Sequence, residues 1–573
     1  MSPSLRRRGR RRWGSSARRF DVRTGWHALR VRDAAAEPGS GRAAWVACRR
    51  AWSTAPALAV AVSGVLSVAY VLWTPSAPDL AAQLARAALV RRAGDVWWWS
   101  GWFGGISLPT YSVLTPPLMA VLGVSVTGAV LTVAGCWGAG ILARDALRPR
   151  AAAVAFSLFA MADLVIGRVT FAVGLAFAVW VLVAVRSRWR LAGALLALLC
   201  YLSSPLAGLF LGMVLAAIVV VDRTRRVEAA VGCGLLLLIA ATTAVLFPGP
   251  GLMHYGPVSA ITPAAGGALV AISSRIRVVR AAALLALLAL VGFWVVPGPV
   301  GSNVERLMWV CVVPVLIGCA PLRRRHLALA VAGLTIWPAI TFAVQVSWVL
   351  EPTAKASYYA PLVQRLTAAR AAGGPASVGQ RLEVLDTADH SGSLYLPRSI
   401  AIARGWDRQA DEANNPIFYR ENELTAAHYH AWLHDLAVGW IAIPTTELDY
   451  ASRAEARLIK AGLQYLRLIW SSADWRLYRV KDAAPLADGA TVTSVDPASI
   501  SIESQAPATV ILHVHWSPYL RAVDPKTGQP ARVCIKSAGH WLRLELPAAG
   551  SFRIVSRFDP TVRFADNDRD CGG

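Results

Sequence analysis

Apolar residues along this chain come in long blocks, unlike the short periodic patterns of soluble domains. Between Pro56 and Leu350 one apolar run follows another, separated by short segments rich in Arg or in Pro and Gly. From Glu351 onward charged residues are evenly spread, and no apolar run is long enough to cross a bilayer. The pattern predicts a membrane domain over 51–350, followed by a water-soluble region.

The apolar blocks predict a multi-pass α-helical membrane domain with about eleven transmembrane helices. The predicted spans are 56–73, 119–143, 151–166, 169–185, 191–203, 205–221, 229–247, 259–274, 281–297, 304–320 and 327–349. Several of these spans are short, and the segment 107–118 between the first two is either re-entrant or a further short helix. A large first outer loop is expected over 74–118.

Arginine placement gives these spans a direction. Five Arg triplets punctuate the membrane domain, each separated from the next by enough apolar sequence for two helices; they are 144/148/150, 186/188/190, 223/225/226, 275/277/280 and 323/324/325. Because positive charge is retained on the cytoplasmic side, all five triplets are predicted to be cytoplasmic. An odd number of crossings then predicts a multi-pass plasma-membrane protein with a cytoplasmic N-terminus and an extracytoplasmic C-terminal region.

The net charge of +24 is unevenly distributed along the chain. Residues 351–573 hold 24 Lys and Arg against 24 Asp and Glu, whereas the first 50 residues hold 14 Arg. Ahead of a polytopic domain, such a segment is typical of a disordered cytoplasmic tail that orients the first helix and contacts anionic lipid. We therefore interpret the basic charge of 1–50 as a membrane signal and expect no nucleic-acid partner.

The water-soluble region divides by its pattern into two parts. Strand-like and helix-like segments alternate over 351–490, which predicts an extracytoplasmic α/β domain. Strand patterns dominate over 491–573, which predicts a β-sandwich-like part, either a carbohydrate-binding or a packing module. Cys534 and Cys571 are the two cysteines beyond the membrane domain, and an oxidising compartment favours a disulfide between them. No cysteine or histidine cluster indicates a structural metal.

The first outer loop contains the densest candidate chemistry. Asp79 follows the first helix and opens a short amphipathic helix, which we expect to lie in the membrane interface with Arg86 towards the head groups. Asp79 is either the N-cap of that helix or a functional carboxylate. After Asp95 comes a Trp-rich stretch, in which most rings are expected to be interface anchors.

Two further outer segments carry isolated charges beside the membrane. Asp163 and Arg168 lie five residues apart in a predicted tight turn, a spacing that favours a structural ion pair. At the start of the tenth predicted helix, Asn303, Glu305 and Arg306 stand together, where backbone N–H groups and a guanidinium suit a phosphate. Ser302 or Asn303 acting as a helix cap is the alternative.

Several stretches resemble the GT-C type of polytopic membrane glycosyltransferase, and are similar in particular to uncharacterised actinobacterial integral membrane proteins. They are DLAAQ (79–83), WFGG (102–105), YSVLTP (111–116), GRVTFAVG (167–174), SPLAG (204–208), GSNVERL (301–307), ARGWDRQ (403–409) and NPIFY (415–419). The resemblance implies transfer of a sugar from a polyprenyl-phosphate donor to a cell-envelope glycan or glycolipid acceptor on the outer face.

The resemblance also implies roles for particular residues. Asp79 matches the position of the catalytic base, and the acidic pair of many relatives is reduced here to Asp79 alone. Either Asp95 or Glu305 supplies the second carboxylate, or the site works without one. The implied substrate-binding residues are Arg86, Asp95, Trp102, Tyr111, Arg168, Asn303, Glu305 and Arg306. No cofactor is implied, and a divalent metal is unsupported.

Two other functions fit the same sequence. Broken helices and intramembrane charges also suit a transporter or flippase for a lipid-linked or small substrate. A non-catalytic envelope assembly protein is the third possibility. No internal repeat relates the two halves of the membrane region, which favours the enzyme.

Overall fold

The computed structural model describes residues 54–73, 75–94, 97–249, 251–253 and 255–563. The predicted Arg-rich tail, Asp95 and Cys571 lie outside these residues. The described chain forms a helical part, an α/β part and a strand-rich part, in that order.

The helical part holds thirteen α-helices among the described residues. They are α1 (Ala55–Trp73), α2 (Pro78–Ala93), α3 (Thr115–Leu122), α4 (Val124–Leu142), α5 (Pro149–Val165), α6 (Val169–Ser187), α7 (Arg190–Ser203), α8 (Pro205–Val221), α9 (Arg226–Leu246), α10 (Pro257–Ser273), α11 (Arg277–Val295), α12 (Glu305–Cys319) and α13 (Arg324–Ser347). All except α2 and α3 coincide with the predicted spans.

Seven of these helices are long and apolar enough to cross a membrane: α1, α4, α6, α9, α11, α12 and α13. Among the others, α7, α8 and α10 are shorter apolar helices. The described residues therefore support a multi-pass membrane domain, while the predicted count of about eleven crossings is not confirmed.

Small residues and prolines set the spacing and the ends of the helices. A Cβ added at Gly140 of α4 would lie 2.6 Å from the Pro56 Cα of α1, so the two backbones approach closely. Pro205 begins α8 because its missing N–H is not needed in the first turn, and the Ser204 side chain accepts from the Ala207 N–H. Local chemistry thus explains the break between α7 and α8.

The helix α2 is buried, and its predicted position in the membrane interface is wrong. On one side Leu80 and Ala87 pack with membrane-domain residues such as Leu164 and Val169. On the other side, the small side chains of Ala81, Ala82 and Ala85 join the core of the α/β part. Small side chains around most of the helix let both neighbours approach, so α2 links the two parts.

The Trp-rich stretch forms a short hairpin, β1 (Trp98–Trp99) and β2 (Ile106–Ser107), that packs within the protein. Trp98 belongs to the core of the strand-rich part, whereas Trp99 and Trp102 belong to that of the α/β part. Their predicted role as interface anchors is therefore wrong. An apolar ring suits a protein core as well as a lipid interface, and sequence alone does not distinguish them.

The α/β part is a four-stranded sheet with helices on both faces. Its order is β3–β4–β6–β5, with β3 and β4 parallel and the other pairs antiparallel. The elements are α14 (Ala356–Ala372), β3 (Arg381–Val384), α15 (Gly392–Tyr395), α16 (Arg408–Asn414), α17 (Ala426–Asp435), β4 (Val438–Pro444), α18 (Tyr450–Lys460), β5 (Leu466–Ser471) and β6 (Trp475–Val480). Helices α14 and α2 lie on one face and α17 and α18 on the other.

The strand-rich part consists of two four-stranded antiparallel sheets, ordered β12–β13–β10–β7 and β11–β14–β9–β8. The strands are β7 (Ala487–Asp488), β8 (Thr491–Asp496), β9 (Ser499–Ser504), β10 (Ala508–His515), β11 (Leu520–Val523), β12 (Cys534–Ala538), β13 (Trp541–Leu546) and β14 (Gly550–Ser556). Apolar residues of both sheets, such as Leu512 and Ile502, share one core. The predicted sandwich-like part is confirmed.

Candidate functional site

The candidate site begins at the first turn of α2. Pro78 is the first helical residue, where its fixed φ suits the start of a helix, and Asp79 follows inside the turn. The capping residue is Ala77, and no side chain caps this helix. The interpretation of Asp79 as an N-cap is therefore wrong, and its carboxylate is available for other partners.

The Asp79 carboxylate lies between two guanidinium groups from other helices. Its Oδ2 is 3.3 Å from Arg168 Nε and 3.5 Å from Arg306 Nη2. Arg168 Nη1 in turn lies 2.9 Å from Asp163 Oδ1, which confirms the predicted ion pair. Residues from α2, from the end of α5 and the turn after it, and from α12 thus meet in one cluster, which we call the Asp79 cluster (Asp79, Asp163, Arg168 and Arg306).

The turn before α6 approaches the start of α2 so closely that only glycine fits. Gly167 has φ +94°, and a Cβ there would lie 2.3 Å from Leu80 N and 2.9 Å from Asp79 C. Both the backbone conformation and the space therefore require the missing side chain. This contact positions Asp79 beside Arg168.

We expect Gly167→Ala to destabilise the protein by about 1–3 kcal/mol, because the added methyl must push two backbone segments apart and adopt a left-handed φ. The midpoint of thermal unfolding of the purified protein in detergent measures the effect. Gly333→Ala in α13 is the matched control, since nothing lies within 4 Å of a Cβ there. Equal midpoints for the two variants would contradict the close approach.

Exposure distinguishes the members of the Asp79 cluster. The Asp79 side chain is 26% exposed, against 5% for Asp163, 12% for Arg168 and 17% for Arg306. Two carboxylates and two guanidinium groups balance in formal charge, so each buried charge of the cluster has a countercharge nearby. Asp79 is nevertheless the carboxylate that an incoming group reaches most easily.

Aromatic rings border the two guanidinium groups. The Arg168 Cζ lies 5.3 Å from the Trp309 ring centre, and the Arg306 Cζ lies 6.0 Å from the Phe171 ring centre. Such contacts favour the cationic form and restrict side-chain rotation. Arg306 Nε is buried and has no hydrogen-bond partner among the described residues, so this donor is available to a ligand.

The segment before α12 is placed as expected, but neither proposed cap is formed. Residues Gly301–Val304 form a 3-10 turn, and no side chain caps α12. Asn303 Nδ2 instead lies 3.1 Å from Met253 Sδ. Glu305 is buried, and its Oε1 has no hydrogen-bond partner within the described chain. Asn303 and Glu305 are thus neighbours of Arg306 in the sequence, but within the described residues neither is hydrogen-bonded to Asp79.

Arg86 and Tyr111 form a second group further along α2. The Arg86 guanidinium is buried, lies 3.8 Å from the Tyr111 ring centre and pairs with Asp407 of the α/β part at 3.0 Å. Its expected position towards lipid head groups is therefore wrong. Tyr111 OH accepts from Gln83 Nε2 at 2.9 Å. This group joins the loop, α2 and the α/β part.

Trp102 is fully buried, and its contacts are with the protein itself. Its Nε1 donates to the Ser393 carbonyl at 3.2 Å, and Gly405 packs against the ring so closely that a Cβ there would lie 2.4 Å from it. A sugar cannot stack on a ring covered in this way. The structure therefore gives Trp102 a packing role, and its predicted contact with substrate is not favoured.

Two residues with predicted roles lie outside the described part of the chain. Asp95 and Cys571 lie among the residues that the structure does not describe, so the second carboxylate at Asp95 and the Cys534–Cys571 disulfide stay predictions. Within the described chain, no group of three or more His, Cys, Asp or Glu side chains is arranged to hold a metal ion.

The α/β part contains a buried charge network that the sequence analysis did not identify. Arg404 is bidentate to Asp411, with Nη2 to Oδ2 at 2.6 Å, and it lies 3.5 Å from Glu455 and 3.9 Å from Glu383. Burial alone raises the pKa of the Asp411 carboxyl, but the Arg404 guanidinium outweighs it and holds that pKa below its ordinary value. Arg404 is therefore the central cation of a buried network.

Beside this network, His390 lies face to face with Trp406, with ring centres 3.4 Å apart. Its Nδ1 meets Asp386, and Arg408 pairs with Asp449 at 3.0 Å nearby. The enclosed space between these side chains is about 20 Å³, room for about one water molecule. The position of Asp386 just after the buried strand β3 is the sequence signal that could have located this group.

Glu383 gives the network a pH dependence. Its side chain is fully buried, neither carboxylate oxygen has a hydrogen-bond partner within the described residues, and burial followed by the charge of Glu455 raises its pKa well above the ordinary value. Above pH ~4.3 the unfolded chain ionises this group while the folded chain keeps it protonated. Stability therefore falls by up to about 1.4 kcal/mol per pH unit until the raised pKa is passed.

We accordingly expect the stability of Glu383→Gln relative to wild type to increase as the pH rises from 5 to 7.5, because only wild type loses stability through this carboxyl group. Thermal midpoints of both proteins across this range measure the difference. Glu423→Gln, at an exposed carboxylate paired with Arg420, is the control and should follow wild type. A pH-independent difference between Glu383→Gln and wild type would refute a protonated, buried Glu383.

Comparison with known proteins gives only distant likeness. No family model matches the chain, and no curated protein matches it. Among solved structures, the cryo-EM structure of the arabinofuranosyltransferase AftD from Mycobacteria aligns at 14% identity and a TM-score of 0.42, covering 88% of this chain and 57% of AftD. A mutant of AftD aligns at 14% identity and a TM-score of 0.42, covering 88% and 60%. The chain therefore spans less than two thirds of AftD, and the likeness carries no argument about activity.

Proposed function

We propose that this chain is a GT-C-like membrane glycosyltransferase that transfers a sugar from a polyprenyl-phosphate donor to a cell-envelope glycan or glycolipid on the outer face. The supporting observation is the Asp79 cluster, in which an accessible carboxylate is held beside two guanidinium groups at the junction of the membrane helices and the α/β part. Sugar transfer from a lipid phosphate needs a base and a cationic phosphate site side by side.

In the proposed reaction, the Asp79 carboxylate and the guanidinium groups have separate roles. Asp79 takes the proton from the acceptor hydroxyl while that oxygen bonds to the anomeric carbon of the donor. The bond from the anomeric carbon to the phosphate oxygen breaks, and its electron pair leaves with the lipid phosphate. Guanidinium groups stabilise the negative charge that develops on this leaving group.

The geometry favours different roles for the two arginines. Arg168 contacts both Asp79 and Asp163, so we assign it to positioning the base. Arg306 makes the longer contact with Asp79, at 3.5 Å, and retains its buried Nε donor. We assign Arg306 to the phosphate, because turning towards it satisfies Nε without breaking the Arg168–Asp79 pair.

The remaining predicted residues take supporting roles in this proposal. Glu305 and Asn303 flank the phosphate site from the segment next to Arg306. Arg86 and Tyr111 hold α2 against the α/β part and so keep Asp79 in place. The proposed location is the plasma membrane, with the N-terminus cytoplasmic and the α/β and strand-rich parts outside.

The test uses the full chain in proteoliposomes with a radiolabelled polyprenyl-phosphate sugar donor and a cell-envelope glycan extract. The proposal expects radiolabel to appear in acceptor glycan, in proportion to protein. Movement of intact donor across the bilayer, with no labelled glycan, would overturn the proposal and favour the transporter alternative.

A further inference from the structure

A large cleft opens at the far end of α2 from Asp79. It has a volume of about 730 Å³ and is bounded by all three parts of the protein. The end of α2 and the hairpin that begins at Trp98 form one wall. The segment after α15 and the end of α14 form another, and the β8–β9 turn and β14 of the sandwich close it. Its volume lies in the range of sites for organic ligands of several rings.

The cleft is strongly cationic. Four guanidinium groups line it, against one carboxylate, that of Asp496; the four are Arg92, Arg370, Arg398 and Arg553. None of the four pairs with a carboxylate within the part of the chain that the structure describes. A concentration of one charge sign in a concave site attracts ligands of the opposite sign.

The hydrogen bonds of these arginines leave donors unused. Arg370 Nη1 donates to the Ser399 carbonyl at 3.0 Å, and Arg92 Nη1 donates to the Arg398 carbonyl at 3.5 Å. Arg553 Nε is buried with no hydrogen-bond partner among the described residues. Burial also lowers the pKa of Arg370, as expected for a guanidinium taken from water without an anion beside it.

The rest of the lining suits a saccharide. Trp99 and Gly101 also border the cleft, but the Trp99 ring is 4% exposed and is covered by the Gly101 backbone, so its face is closed to a ligand. Ser100, Ser399 and Ser499 add hydroxyl groups to the walls. Hydroxyl groups and guanidinium donors in one cleft match the hydroxyl and anionic groups of a charged sugar chain.

We propose that this cleft binds an anionic oligosaccharide, a short sugar chain bearing carboxylate or phosphate groups. Arg92 lies thirteen residues after Asp79 on the same helix, which places the cleft about 20 Å from the candidate base. A chain seated here can extend along α2 towards Asp79. That the bound sugar chain is the acceptor rests on the proposed function, whereas the binding of an anionic oligosaccharide to the cleft does not.

The test is direct binding to the full-length protein in lipid nanodiscs, measured by isothermal titration calorimetry. The probes are a hyaluronan tetrasaccharide, mannotetraose 6-phosphate, neutral chitotetraose and inorganic phosphate. We expect at least one of the two anionic saccharides to bind at least about tenfold more tightly than chitotetraose or phosphate. Arg370→Gln and Arg398→Gln should each weaken that binding about tenfold.

Arg457→Gln, at an exposed arginine of α18 outside the cleft, is the matched control and should bind like wild type. Equal binding of neutral and anionic saccharides, binding of phosphate as tight as that of the saccharides, or no effect of either cleft variant would overturn the inference. Asp79→Asn separates the two proposals, since it should retain full binding. Binding without transfer by wild type would leave the cleft inference standing while the proposed function fails.

Discussion

Asp79→Asn will leave folding and lipid binding unchanged but lower the rate of sugar transfer by about 10²–10⁴-fold. The change keeps the shape of the side chain and removes its ability to take a proton from the acceptor hydroxyl. Both guanidinium neighbours retain an oxygen partner in the amide, so the Asp79 cluster should remain assembled. Initial rates with radiolabelled donor in proteoliposomes measure the effect.

Two companion variants make this prediction specific. Asp79→Glu keeps a carboxylate at a shifted position and should retain more activity than Asp79→Asn. Asp145→Asn removes another ion-paired carboxylate, which contacts Arg186 at the helix ends where the Arg triplets lie. Because Asp145 is not part of the Asp79 cluster, this variant should transfer sugar like wild type. A rate for Asp79→Asn within twofold of wild type would remove Asp79 as the base.

Arg404→Met will destabilise the protein by about 3–5 kcal/mol, the largest stability effect that we expect. The guanidinium is the common neighbour of Asp411, Glu455 and the protonated Glu383, and all three side chains are buried. Without it, several buried acidic groups must be protonated or left without a countercharge. Tyr429 and Tyr419 still donate to Glu455 and Asp411, but hydroxyl groups do not replace a full charge.

The midpoint of thermal unfolding, followed by tryptophan fluorescence in detergent, measures this loss. Arg420→Met provides the control, because the pair of Arg420 with Glu423 is exposed and should contribute less than about 1 kcal/mol. A shift for Arg404→Met no larger than that of the control would mean that the network does not stabilise the α/β part.

The sequence predicts the elements of this fold far better than their burial. Membrane helices follow from long apolar runs, and the sheet strands β3, β4 and β6 follow from short apolar runs between turn residues. The burial of α2 did not follow, because its Ala-rich surface is compatible with lipid, membrane helices and a soluble core alike. Long-range contacts, such as that of Arg86 with Asp407, decide which of these surroundings α2 occupies.

The candidate site could be predicted only in part, because most of its residues are far apart in the sequence. The local pair of Asp163 with Arg168 could be predicted from a spacing of five residues. Grouping Asp79 with Arg168 and Arg306 needed the topology, since these residues are 89 and 227 positions apart. No local sequence pattern predicts the arrangement around Arg404, because its partners come from β3, α16 and α18 and meet only after the sheet has formed.

A cryo-EM structure of the full chain with a bound polyprenyl monophosphate would show directly whether Asp79 and Arg306 face the lipid phosphate. We expect phosphate density within hydrogen-bond distance of the Arg306 guanidinium, facing the Asp79 carboxylate, with Arg168 still paired to Asp163. Phosphate density at the Arg triplets on the opposite side of the helices, with the Asp79 cluster unchanged, would contradict this expectation.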